Sequence, residues 1–78
     1  MQSITDLNDS LSNLIYNRKT IKRNRGLRGV IFKETRDLYS KIDSKSRVPQ
    51  WEQLIKLIDE EILKIEVQIE QIQNESEL

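Results

Sequence analysis

The 78-residue sequence contains no cysteine and no histidine. Without cysteine there is neither a disulfide framework nor a thiolate metal site. Without histidine, the commonest general base and the commonest metal ligand are both missing. No apolar run approaches the roughly 20 residues of a membrane span, and the opening Met1-Gln2-Ser3-Ile4-Thr5-Asp6 is not built like a signal peptide. These absences predict a soluble, cytoplasmic protein with no membrane partner. No catalytic residues, cofactor or metal are expected. The consecutive acids Asp59, Glu60 and Glu61 point in different directions around a helix and read as solvated surface. Alanine is also absent, while eleven residues are isoleucine.

Those isoleucines carry the clearest pattern in the chain. Ile55, Ile58, Ile62, Ile65, Ile69 and Ile72 follow one another in steps of three and four, an unbroken heptad track. Only a helix puts them on one stripe, and only packing against another helix takes that stripe out of water. In a parallel assembly, isoleucine at both seam positions favours trimers or tetramers. An antiparallel hairpin within one chain buries the same stripe. Leu54, Leu57, Leu63 and Val67 widen the apolar surface, which suits a helix with two neighbours.

Further helix signals lie upstream. Ser3 followed three residues later by Asp6 fits a capping box. Ile4, Leu7, Leu11, Leu14 and Ile21 keep heptad steps, with Arg18 in the one seam position that is not apolar. Arg18 there is either a long side chain snorkelling outward, or a register device or a contact to an acidic partner. The spacing predicts helices over about 4–24, 30–42 and 49–74, with a turn at 25–29, a linker at 43–48 and a frayed tail at 75–78. Gly26 is the expected C-cap, and Val48-Pro49 the expected start of the last helix. One long bent helix over 4–42 is the alternative.

The fold class is therefore all-α: a helical hairpin or three-helix arrangement with a long C-terminal heptad helix, in one small domain. A core of this size is marginal alone. A hairpin pivoting near Ser46–Arg47 would place Arg23–Gly29 opposite Ile65–Gln71. It would leave the first helix without a partner, so completion by self-association is expected.

Net charge is zero but unevenly spread. From Arg18 to Arg36, eight basic residues oppose only Glu34; from Trp51 onward, eight acids oppose only Lys56 and Lys64. Such asymmetry implies an anionic partner or neutralisation by the chain's own acids, Glu66 and Glu70, within one chain or across a dimer. The function this supports is a non-catalytic protein–protein interaction module: an adaptor, assembly factor or inhibitor. Arg18, Lys22, Arg23, Arg25 and Arg28 would recognise an acidic or helical protein surface. The six heptad isoleucines would form the seam of a homo-oligomer. The alternative is a nucleic-acid binder that places the 18–36 segment on phosphates, with Tyr16 or Phe32 stacking on bases.

Overall fold

The computed structural model describes residues 3–76. Among them all regular structure is helical: α1 (Ile4–Asn24), α2 (Lys33–Tyr39) and α3 (Gln50–Ser76). The three helices pack on one another in a rod of 48 × 23 × 19 Å.

α1 starts where the Ser3 hydroxyl accepts the Asp6 N–H at 3.1 Å, closing one of the donors a helix start leaves open. It ends at Arg25, not at Gly26. Arg25 itself takes the left-handed conformation (φ 51°, ψ 43°), and the Gly26 N–H closes back onto the Ile21 carbonyl at 3.3 Å. This six-to-one closure normally has glycine at the left-handed position. Here the glycine stands one residue late. Gly29 supplies a second left-handed residue (φ 81°), so the chain reverses between them and the 4–42 segment is two helices rather than one.

The long helices pair with each other. Leu7, Leu14 and Ile21 of α1 and Leu54, Ile58 and Ile65 of α3 are buried together, joined by Leu38 of α2. Each such side chain contributes roughly 1.5–3 kcal/mol by leaving water. Arg18 contacts Asp59, which fixes an antiparallel register. Counting turns from that pair, Ile15 lies level with Ile62, Leu11 with Glu66 and Leu7 with Glu70.

This arrangement corrects the expected pivot at Ser46–Arg47. The chain turns α1 back onto α3, with α2 carried on the connection. The first helix therefore has its partner within the chain. Arg23–Gly29 lies towards the start of α3, and Ile65–Gln71 lies towards the other end of the rod. The physical reason is pattern matching. Leu7, Leu14 and Ile21 repeat every seven residues, as do Ile58 and Ile65, so two long helices mesh over several turns, whereas seven-residue α2 offers barely two.

α2 is shorter than the expected 30–42 at both ends. Upstream, the Val30 carbonyl and Phe32 N–H are taken by the side chain of Asn17, which holds the backbone extended as far as Phe32. Downstream, Lys41 and Ile42 bond to Leu38 and Tyr39 in tight three-residue turns, and the helix closes. Phe32 thus falls outside α2 and packs edge-on against Tyr16, with ring centroids 5.8 Å apart. The second linker is bent by two side-chain turns: the Asp43 carboxylate accepts the Lys45 N–H, and the Ser46 hydroxyl accepts the Val48 N–H. The Pro49 carbonyl accepts from Glu52 and Gln53 as α3 begins. α3 runs past the expected end at Asn74, through Glu75 to Ser76; Glu77 and Leu78 of the expected tail lie outside the described residues.

Candidate functional site

Two polar residues on the seam of α1 stand side by side and lead to opposite faces of the hairpin. Asn17 is fully buried. Its amide donates to the Val30 carbonyl at 2.8 Å, and its oxygen accepts the Phe32 N–H at 2.9 Å, as a neighbouring strand would. Asn13, one turn earlier, donates to the Glu34 carboxylate at 3.3 Å. These bonds fasten the connection and the start of α2 onto one face of α1. The end of α2 is held on α3, where the Tyr39 hydroxyl donates to Gln50 at 3.0 Å. Gln53 performs for the second connection what Asn17 performs for the first. It accepts the Asp43 N–H at 3.0 Å and donates to the Asp43 and Val48 carbonyls at 2.9 Å each.

Arg18 points the other way, away from α2. Its guanidinium pairs with Asp59, and both side chains remain partly exposed. This bare face follows from helical spacing: Leu11, Ile15, Arg18 and Lys22 on α1, and Ile55, Asp59, Ile62, Glu66 and Ile69 on α3. The isoleucines of α3 are half-buried, while Ile15 is 41% exposed.

The candidate recognition residues divide accordingly. Arg18 is engaged by Asp59 in what is, among the described residues, the single ion pair. Lys22, Arg23, Arg25 and Arg28 are exposed around the left-handed turn. Glu66 and Glu70, the acids expected to neutralise them, are about 16 and 22 Å away along the rod, because Lys22 is level with Ile55 and they lie eleven and fifteen residues further along α3. Neutralisation by that pair within one chain is thus excluded by the register. The six heptad isoleucines also divide: Ile58 and Ile65 are buried in the core, whereas Ile55, Ile62, Ile69 and Ile72 are half-buried.

On the α2 side a cleft of about 300 Å³ opens over Leu7, Leu14, Leu38 and Ile65, rimmed by acidic Glu34, Asp37 and Glu61 with Lys41. Among the described residues, no group of three acidic side chains is arranged to hold a metal ion, and no helix is long and apolar enough to cross a membrane. Thr35, beside the cleft-lining Glu34, is fully buried with its hydroxyl unpaired.

Sequence reasoning missed Asn17 and Leu54. Asn17 had a signal: it sits three residues after Leu14 and four before Ile21, on the buried stripe itself. A short amide there faces either a partner amide or a backbone that needs both a donor and an acceptor. Leu54 stands one residue before the isoleucine track, where spacing alone makes it the margin of the stripe. The buried line of α3 passes through Leu54 and Ile58 rather than Ile55 and Ile58. Comparison with known protein families, curated proteins and solved structures finds no match to this chain.

Proposed function

We propose that this chain is a non-catalytic protein–protein interaction module, an adaptor, assembly factor or inhibitor, that self-associates by coiled-coil-like helix packing and recognises an acidic protein surface with its basic turn. The observation that carries this reading is the exposed cluster Lys22, Arg23, Arg25 and Arg28. It gathers at one end of the rod, where no carboxylate of the described residues forms an ion pair with it. Like charges so close repel mildly, and an anionic partner relieves them. The lack of cysteine and histidine removes the usual nucleophile and general base, which favours binding over catalysis. The test is titration with a poly-glutamate peptide. The wild-type chain should bind it, and Arg23→Glu with Arg25→Glu should weaken binding at least tenfold while helicity is retained. Equal binding by the variant removes the turn from the account.

One observation favours nucleic acid as a second reading. Tyr16, Lys19 and Arg23 follow each other by three and four residues, so an exposed ring and two cations share the outer face of α1. That combination suits a single strand, with a base stacked on the ring and phosphates on the cations. Its test is the salt dependence of single-stranded DNA binding. A steep loss of affinity with rising salt, together with loss on Tyr16→Ala, supports it. Binding that ignores Tyr16→Ala rules it out.

A further inference from the structure

The face of the hairpin left bare by α2 is apolar in the middle and oppositely charged at its ends. Its centre is Ile15 of α1 and Ile62 of α3, which lie level with each other, flanked by Leu11, Ile55 and Ile69. The Arg18–Asp59 ion pair crosses the face beside them; towards one end comes Lys22 with Lys19 at its edge, and towards the other comes Glu66. Glu66 cannot reach Lys22 of its own chain, because the antiparallel register separates them along the rod.

A second copy can. We propose that two copies stack antiparallel through this face, with a two-fold axis across the Ile15–Ile62 level. The inference rests on the self-association part of the proposed function and adds the face and the orientation. Rotation about that axis brings Lys19 and Lys22 of one copy level with Glu66 of the other, twice over. A parallel dimer would instead stack basic end on basic end. The Ile15–Ile62 pairs close over one another, forming a four-helix layer in which α2 of each copy stays on the outside. Charge complementarity of the chain with itself, at zero net charge, makes a second copy the fitting occupant. Arg23, on the outer face of α1, and Arg25 and Arg28, past its end, stay clear of the contact and available at each end of the dimer.

Single cysteines test this directly, since the chain has none of its own. Ile15→Cys lies beside the axis and should oxidise to a disulfide-linked dimer at least tenfold faster than Leu63→Cys. Leu63 is more exposed, 65% against 41%, but sits on another face. Ile4→Cys, at the end of the bare face, should also be slow. Chains carrying Lys22→Cys should cross-link with chains carrying Asn8→Cys and not with themselves, since the axis brings those two levels together. A wild-type dimer in which Leu63→Cys links fastest, or all positions link equally, overturns the face. Fast self-linking of Lys22→Cys overturns the orientation. Both results leave self-association standing. A wild-type chain that stays monomeric into the millimolar range overturns the inference and the self-association reading together.

Discussion

The two faces of the α1–α3 hairpin are built from the same residue types and end up doing different things. On one face a polar seam residue, Asn17, is fully buried, and both its donor and its acceptor serve the backbone of a connection. On the other, the next residue, Arg18, stays partly exposed and meets one carboxylate. The first face is closed by the chain itself. The second keeps an apolar centre with charged ends. Closure thus depends less on hydrophobicity than on whether the chain brings back a segment whose backbone needs the one donor and one acceptor of a side-chain amide.

The comparison breaks most decisively at two isoleucines four residues apart. Ile58→Asp buries an unpaired charge in the core and should cost several kcal/mol, enough to unfold a domain of this size. Ile62→Asp, half-buried at the centre of the bare face, should leave a helical monomer but abolish association. Circular dichroism with sedimentation separates the two. Equal loss of helicity would erase the distinction between the faces.

Asn17→Leu comes next. It leaves the Val30 carbonyl and Phe32 N–H unpaired and should destabilise by about 2–3 kcal/mol in urea unfolding. Gln53→Leu removes the corresponding clamp from the second connection. It should cost only about 1 kcal/mol, because water can replace a half-exposed amide. An equal cost for both would show that burial does not distinguish the two connections.

Smaller still is the contrast between the glycines. Gly29 has φ 81°, so Gly29→Ala should cost about 1 kcal/mol. Gly26 is not left-handed, and an added methyl would meet nothing nearer than the Asn24 carbonyl at 4.0 Å. Gly26→Ala should be neutral within about 0.5 kcal/mol. Asp59→Asn should also cost less than Gly29→Ala. A partly exposed ion pair contributes about 0.2–1 kcal/mol, and its loss should shrink further in high salt. Thermal unfolding in low and high salt reads both values.

The long helices were legible because their seven-residue repeats need no knowledge of the partner, and Ser3 marked the start of α1. The pairing was not legible. Chain proximity suggested that the last helix folds onto its predecessor, whereas Leu7, Leu14 and Ile21 offered a longer match. α2 was overextended because Ile31, Leu38 and Ile42 keep a helical stripe, and nothing local says that Asn17 claims the backbone on either side of Ile31. The basic cluster could be read directly, since it is contiguous in sequence. Its separation from Glu66 and Glu70 could not, because it follows from the Arg18–Asp59 register.

The measurement that bears most directly on the bare face is sedimentation equilibrium of the full chain from low micromolar to millimolar concentration. The expected result is passage from 9.3 kDa to twice that mass, with Ile62→Asp held at the monomer value. A constant 9.3 kDa for both proteins would mean that the bare face is ordinary surface, and would contradict the account.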